Sequence, residues 1–191
     1  EMVSAMATYA NKGIHIDPTF ITRIEDKNGI VLEEFTPQTE EAMNAKTAYL
    51  MLDLMKGVVD EGSGRRVRWK YGLKLPVAGK TGTTQNHSDA WFMGITPTLA
   101  SGVWVGGELR SIHFNSMRLG QGANAALPVW SIYMRNILQD SAVLHFPQDD
   151  FECPPELEGV DLNCSGTNPV ANQPMQGVVE EPTHNDLNNL M

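Results

Sequence analysis

The sequence of 191 residues has few cysteines, few aromatic residues and no long apolar run. Its two cysteines, Cys153 and Cys164, form no Cys-x-x-Cys pair, and its five histidines share no metal-binding spacing. Both observations argue against a metal site, and we expect no cofactor. Because no stretch of about 18 apolar residues occurs, the sequence also predicts no membrane-spanning helix.

Positive charge is absent from the end of the chain. Residues 151–191 contain seven acidic residues and neither Lys nor Arg, whereas residues 1–150 hold all 14 basic residues. This balance argues against nucleic acid as a partner. We predict a folded body over residues 1–146 and an acidic, Pro- and Asn-rich tail over residues 147–191, disordered beyond about Gly166. Ten residues separate Cys153 from Cys164, so after export the two thiols either form a local disulfide or stay free.

The body carries helical and strand patterns in turn. From apolar periodicity and turn residues we predict a helix over 2–11, a β-hairpin over 19–35, a helix over 45–59, a meander of about three strands over 75–105 and a helix over 126–140. The Gly-containing residues 106–124 are predicted to be loop. Pro128 is expected in the first turn of the last helix, where its missing N–H costs nothing. The apolar face of that helix is predicted to comprise Val129, Ile132, Tyr133, Ile137 and Leu138.

The segment Lys80-Thr81-Gly82-Thr83 has residue types that suggest chemistry. It follows the apolar residues 77–79 and is predicted to lie on a strand. Lys80 and Gly82 then face one way, and Thr81 and Thr83 face the other. Two hydroxyls on one face can donate to a carboxylate, and the glycine lets another backbone or a ligand approach closely. A strand edge with a free N–H can also stabilise a developing oxyanion.

Two neighbouring patterns have a structural and a functional interpretation. His87, Ser88 and Asp89 are consecutive, so they cannot converge as a catalytic triad, and we predict a polar turn. Residues 62–88 carry six basic and no acidic residues. They form either a positive field that attracts a carboxylate or a solvated basic loop. Trp69 in this stretch is a candidate for lining a substrate groove.

Lys-Thr-Gly is the third motif of penicillin-binding proteins and serine β-lactamases, and the residues around it extend the match. Residues 76–84, 88–97 and 103–106 resemble the transpeptidase domain of penicillin-binding proteins. Residues 58–66 resemble the glycine turn before the third motif, and residues 126–130 the start of the family's C-terminal helix. The chain most resembles the bifunctional (class A) peptidoglycan synthases, over about residues 1–145.

The resemblance implies an α+β fold: part of a penicillin-binding or serine β-lactamase-like fold, with an antiparallel sheet flanked by helices. Residues 1–146 would be the C-terminal half of the transpeptidase domain. The family's nucleophile lies in a Ser-x-x-Lys motif and its second motif is Ser-x-Asn, yet none of the nine serines here begins either pattern. We therefore expect both motifs upstream in a parent protein, and no activity from this chain alone.

The same resemblance implies a function for the parent. It would be a serine-type D,D-transpeptidase that crosslinks peptidoglycan stem peptides and is acylated by β-lactams. Lys80 and Thr83 would be catalytic: Lys80 through its charge near the second-motif serine, and Thr83 through a backbone N–H in the oxyanion hole. Thr81, Gly82 and Thr83 would bind substrate, with the two hydroxyls on the terminal carboxylate.

The implied partners are stem peptides, β-lactams and the N-terminal half of the same domain. The implied location is the periplasmic or extracytoplasmic face of the bacterial inner membrane, with a membrane anchor upstream. Two alternatives stay open. One is an envelope binding or assembly module that docks a partner through the acidic tail. The other is a serine β-lactamase or D,D-carboxypeptidase of the same fold.

Overall fold

The computed structural model describes residues 1–140 and 149–162, and backbone contacts divide the chain into two units, Glu1–Glu158 and Gly159–Met191. In the second unit the described residues, 159–162, begin with a turn at Gly159 and then run without helix or strand. The disorder predicted beyond Gly166 and the pairing of Cys153 with Cys164 fall outside the described residues. The fold is therefore given for the first unit.

The first unit combines helices with short antiparallel strands. Its helices are α1 (Met2–Ala10), α2 (Ala45–Asp60), α3 (Arg66–Trp69), α4 (Met117–Gly120) and α5 (Gly122–Gln139). Its strands are β1 (Ile14–Ile16), β2 (Arg23–Glu25), β3 (Val31–Glu34), β4 (Thr39–Glu41), β5 (Ala78–Thr83), β6 (Asp89–Ile95) and β7 (Ala100–Gly106). This content confirms the predicted α+β class. Across the part of the chain described here, no helix has the length and apolar character needed to span a bilayer.

Helix α1 ends in a turn at Gly13. Gly13 adopts a φ of +88°, and its N–H donates to the Thr8 carbonyl at 2.8 Å. A Cβ at this position would lie 2.0 Å from the Met43 carbonyl oxygen, so only glycine fits. The chain then forms β1, which pairs antiparallel with β4. The sequence did not predict this pair, because the residues of β4 show no alternation of apolar and polar side chains.

The predicted hairpin is confirmed as β2 and β3, which pair antiparallel. The Asp26 carboxylate fixes the turn between them: it accepts from the N–H groups of Asn28 at 2.8 Å and Ile30 at 2.9 Å. Gly29 takes the left-handed conformation at φ +84°. Asp26 and Gly29 together thus supply the turn chemistry that the sequence indicates.

The predicted helix at 45–59 is confirmed as α2. Its first turn is capped by the Asn44 side chain, which accepts from the Thr47 N–H at 2.8 Å. Ala48, Leu52, Met55 and Val59 form its buried face.

A tight turn follows α2. A Cβ on Gly62 or Gly64 would lie 2.9 or 3.0 Å from backbone atoms of Val58, so both glycines permit this turn to pack on the helix end. The next residues were expected to be loop, but they form α3. Arg68 anchors α3 through Asp60, 2.7 Å from its Nε, and through the Leu75 carbonyl at 2.6 Å.

Strands β5, β6 and β7 form an antiparallel sheet in that order, which confirms the predicted meander. Thr81 lies opposite Phe92 and Gly82 opposite Trp91, and the next ladder places Trp91 opposite Trp104. Among the described strands, β5 is therefore an edge of this sheet.

Helix α5 covers one face of the sheet. Trp130 is 0% exposed, packs edge-on against Phe92 and donates from its indole Nε1 to Ser101 Oγ at 2.8 Å. A Cβ on Gly94 would lie 2.2 Å from the Trp130 ring, so this glycine makes room for the indole. Because Met93 is next to Phe92 on β6, its side chain points to the opposite face. There α1 packs: a Cβ on Gly102 would meet both Met93 and Val3.

One prediction about α5 is wrong, and a second is correct only in part. The helix begins at Gly122, so Pro128 is its seventh residue and not a first-turn residue. Its buried residues are Gly122, Ala126, Leu127, Trp130, Ser131 and Met134. Of the five residues predicted for the apolar face, Ile137 and Leu138 are partly buried against the core. The other three, Val129, Ile132 and Tyr133, are 43–51% exposed. The prediction followed the larger aliphatic residues, whereas the position of Trp130 on the sheet sets the rotation of the helix.

Residues 150–157 of the expected tail pack on the rest of the first unit. Phe151 is 6% exposed and lies in a core cluster with Leu52, Met55, Ala78 and Ile95. On either side of it, Asp150 pairs with Lys56 and Glu152 pairs with Lys12, both at 2.8 Å. The compact unit therefore extends past the expected boundary at residue 146, as far as Glu158.

Candidate active site

The free edge of β5 presents backbone N–H donors, that of Thr83 among them, and the ammonium group of Lys80. The Thr84 N–H donates to the Asp89 carbonyl at 3.1 Å, towards β6. Because peptide groups of an antiparallel strand alternate between its two edges, the Thr83 N–H points to the free edge. Lys80 Nζ reaches this edge as well and donates to the Thr81 carbonyl at 2.8 Å. The edge therefore brings together the two groups that the sequence singles out for catalysis.

The hydroxyls of Thr81 and Thr83 lie on the same face of β5, as the alternation of a strand predicts. Each one contacts a different neighbouring element. Thr81 Oγ1 is 2.7 Å from Ser63 Oγ in the turn after α2, and either oxygen can be the donor. Thr83 Oγ1 accepts a hydrogen bond of 3.1 Å from the Gly122 N–H at the start of α5.

Glycine allows the start of α5 to approach the backbone of β5 and β6. A Cβ on Gly122 would lie 2.3 Å from the Trp91 carbonyl oxygen and 2.6 Å from that of Gly82. The predicted close approach of another backbone to Gly82 is therefore present, and that backbone belongs to α5. The contact fixes where the Gly122 N–H meets Thr83.

A groove of about 360 Å³ borders β5. It is lined by Met2, Met6, Lys80, Thr81, Gly82, Thr83, Thr84, Trp91 and Met93. Methionine and tryptophan side chains make most of its wall apolar, while Lys80 and the threonines supply polar groups along one side. An apolar cleft with a few converging polar groups is the usual form of a small-ligand site.

A hydrogen-bonded carboxylate lies beyond the end of β5. Asp89 accepts from Trp104 Nε1 and Thr84 Oγ1, each at 2.9 Å, and from Ser88 Oγ at 3.2 Å. These bonds, that from Trp104 first, lower the pKa of Asp89 below its usual value of 3.8. Ser88 and Asp89 thus hold the β5–β6 connection together. His87 lies in its single 3₁₀ turn, in line with the predicted polar turn.

Basic residues of the stretch 62–88 have different structural partners. Arg66 Nη1 donates to the Ala123 carbonyl at 3.1 Å and to Asn124 Oδ1, so it ties α3 to the first turn of α5. Arg68 binds Asp60 at the end of α2 and the carbonyls of Leu73 and Leu75, and Lys80 lies on the edge strand β5. Trp69 is 68% exposed and does not line the groove beside β5.

Sequence reasoning missed Ser63, Gly122 and Trp91 as parts of this site. Ser63 had a signal, since it lies between two glycines in the turn before the motif. Gly122 was assigned to a loop because α5 was expected to begin later. Trp91 also lines the groove, and its ring lies 6.2 Å from that of Trp104. Trp104 is 46% exposed.

Comparison with protein families matches residues 1–117 to the penicillin binding protein transpeptidase domain. Among curated proteins, penicillin-binding protein 1A of Aquifex aeolicus is 38% identical over 163 residues, which cover 85% of this chain and 21% of that protein. Penicillin-binding protein 1B of Escherichia coli is 33% identical over 166 residues, 87% of this chain and 19% of that protein. The chain therefore spans about a fifth of the length of these relatives.

Solved structures show the same fold. Penicillin-binding protein 1A of Haemophilus influenzae superposes with a TM-score of 0.70 at 22% identity, covering 81% of this chain and 27% of that one. The penicillin-binding protein PonA1 of Mycobacterium tuberculosis superposes with a TM-score of 0.66 at 26% identity, covering 95% and 46%. The sequence comparisons confirm the family that the motifs indicate, and the solved structures confirm its fold.

Proposed function

The chain belongs to the family of penicillin-binding protein transpeptidase domains, and on that premise we propose that it forms the third-motif wall of a serine-type D,D-transpeptidase active site. The observation that supports this most is the edge strand β5. Its two threonine hydroxyls lie on one face, and the Thr83 N–H points away from the sheet. A strand of this kind can bind a peptide end and an oxyanion at once.

The acylation step uses groups on both sides of the site. The serine of a Ser-x-x-Lys motif, which this sequence lacks, attacks the carbonyl carbon of the D-Ala–D-Ala bond. The carbonyl oxygen becomes negative, and the Thr83 N–H donates to it as one donor of the oxyanion hole. Loss of one such donor typically costs about 10²–10³ in rate. The C–N bond then breaks, and the departing nitrogen takes the proton that the serine hydroxyl gave up. The terminal D-Ala leaves as an amine, and an acyl-enzyme ester remains.

The terminal carboxylate of the stem peptide binds to the hydroxyls of Thr81 and Thr83. Charge-assisted hydrogen bonds of this type are stronger than neutral ones, so two of them give a site for an anionic end group. The Lys80 ammonium adds positive charge at the same edge and acts on the second-motif serine. β-Lactams of the penicillin class carry a carboxylate in the corresponding place and acylate the same serine.

The acyl group then passes to an amine of a neighbouring stem peptide, which forms the crosslink. Since the sequence supplies neither the nucleophile nor the second motif, we propose that this chain acts with the N-terminal half of the same domain and is inactive alone. Because peptidoglycan lies outside the cytoplasmic membrane, the site works on the extracytoplasmic face.

Fluorescent penicillin tests the proposal. We expect a stable covalent adduct on a full-length protein that joins this chain to its upstream motifs, and none on this chain alone. The full-length protein should also release D-Ala from a stem pentapeptide and form crosslinked product with an amine acceptor.

Three outcomes would contradict the proposal in different ways. An adduct on this chain alone would show a nucleophile within it. Rapid hydrolysis of the β-lactam, followed by free enzyme, would favour the serine β-lactamase alternative. Absence of labelling in the full-length protein would remove the transpeptidase assignment itself.

A further inference from the structure

A hydroxyl–hydroxyl contact joins the turn after α2 to the substrate-binding strand. Ser63 Oγ and Thr81 Oγ1 lie 2.7 Å apart, although 18 positions separate the two residues in sequence. Ser63 is exposed and Thr81 is half-buried. An exposed serine gains little from a bond to another protein hydroxyl instead of water, so the contact has no evident role in stability.

The backbone, and not the side chain, fixes the position of Ser63. The Gly64 N–H donates to the Val58 carbonyl at 2.8 Å, and the Arg65 N–H donates to the Gly62 carbonyl at 3.2 Å. A side chain at Gly62 would collide with the Val58 backbone, and one at Gly64 would be unusually tight against it. The turn is thus wound tightly onto the end of α2, and Ser63 at its tip is presented to β5.

Counting protons limits what the pair can do. Each hydroxyl has one proton to donate and can accept two hydrogen bonds. If Thr81 donates to Ser63, Thr81 has no proton left for a carboxylate. If Ser63 donates to Thr81, the Thr81 proton is free for the ligand. A bound carboxylate therefore selects the second arrangement.

The hydroxyl of Thr83 is likewise a hydrogen-bond acceptor towards the protein. Thr83 Oγ1 accepts from the Gly122 N–H, which can only donate, so the Thr83 proton is also free. Both hydroxyls then accept from the protein and keep their protons for a ligand. A hydroxyl that accepts one hydrogen bond becomes a better donor in the next, because the two bonds polarise each other.

We propose that Ser63 is a positioning residue that orients and polarises the Thr81 hydroxyl for the carboxylate of the donor peptide or β-lactam. This inference rests on the proposed transpeptidase function. It makes the Ser63–Thr81 pair specific for the anionic group of the ligand, so its effect vanishes for a ligand without that charge.

The test compares two ligands on the full-length protein: benzylpenicillin and its methyl ester, which lacks the carboxylate. We expect Ser63→Ala to slow acylation by benzylpenicillin about tenfold, the cost of weakening one hydrogen bond to a charged group. Acylation by the ester, slow already, should be unchanged. Ser63→Thr keeps the hydroxyl and should restore most of the rate.

A double-mutant cycle and a control complete the experiment. In the Thr81→Val variant, adding Ser63→Ala should slow acylation by benzylpenicillin little further, because both changes act through the Thr81 hydroxyl. Ser111→Ala, at an exposed serine in the loop after β7, should leave both rates unchanged. Equal slowing with both ligands, additive effects, or no slowing would overturn the role of Ser63. Failure of the unsubstituted protein to be acylated would overturn the proposed function and this inference with it.

Discussion

Three side-chain donors hold the carboxylate of Asp89 at the connection between β5 and β6. Trp104 and Thr84 donate at 2.9 Å and Ser88 at 3.2 Å, and the Asp89 N–H itself donates to Thr84 Oγ1 at 2.9 Å. The bonds stabilise the anion, which is why the pKa of Asp89 lies below 3.8 in the folded state. This single residue thereby links the end of β5 to β7.

We predict that Asp89→Asn reduces the acid sensitivity of the fold. Since the folded-state pKa of Asp89 is lowered, its contribution to stability is present above pH 3.8 and is lost as the pH falls through the folded-state pKa. Thermal unfolding, followed by circular dichroism from neutral pH to below pH 3.8, measures this. The melting temperature should fall less steeply with acid in the variant than in the wild type.

Asp149→Asn is the matched control, because Asp149 is exposed and lies outside this network. This substitution should leave the fall of the melting temperature with decreasing pH the same as in the wild type. Identical slopes for Asp89→Asn and the wild type would contradict the prediction.

Spacing in the sequence predicts which side chains of a strand share a face. It does not predict which residues, distant in sequence, form hydrogen bonds with those side chains. The shared face of Thr81 and Thr83 follows from the two-residue period of a strand. Their partners lie 18 and 39 positions away, at Ser63 and Gly122. These contacts depend on how α2 and α5 pack on the sheet, which local pattern does not contain.

At the scale of elements, α5 shows how tertiary packing overrides local signals. Pro128 and Gly122 are unfavourable inside a helix, so the sequence favours a later start. The helix begins at Gly122 because only a residue without Cβ can lie so close to the Gly82 and Trp91 backbones. Trp130 then sets the rotation of the helix, which leaves Val129 exposed and buries Ser131.

We predict that Gly122→Ala destabilises the fold by about 1–3 kcal/mol, the usual cost of overpacking a tight contact. Its methyl group would collide with backbone carbonyl oxygens, which cannot move like the end of a side chain. Denaturant unfolding measures the change. Acylation by penicillin in the full-length protein should fall too, since the Gly122 N–H holds Thr83.

Gly57→Ala is the control for glycine replacement as such. Gly57 lies within α2, and nothing lies within 4 Å of a Cβ built there. This change should stabilise the fold by roughly 0.5–1 kcal/mol, because alanine loses less backbone freedom on forming a helix. Destabilisation by both changes to the same extent would show that the contact of α5 with the sheet is not the cause.

At the scale of the whole molecule, the residues after α5 determine how much of the chain belongs to the folded unit. Composition changes near residue 146, and this predicts a tail because Pro and acidic residues cannot form a core. A single aromatic residue, Phe151, is enough to anchor part of this segment to the folded unit. Phe151 fills a site between α2 and the sheet, and two ion pairs beside it bind the same segment to Lys56 and Lys12.

We predict that Phe151→Ala lowers the free energy of unfolding by about 3–5 kcal/mol, as for other buried phenylalanines. Glu152→Gln removes the ion pair with Lys12, whose two side chains are 57% and 76% exposed, and should cost only about 0–1 kcal/mol. Urea unfolding of both variants measures the difference. If burial of Phe151 anchors the segment, the free energy of unfolding should fall strongly in Phe151→Ala and only slightly in Glu152→Gln. Equal losses would mean that charge holds this segment, and no loss in either would mean that the folded unit ends before residue 150.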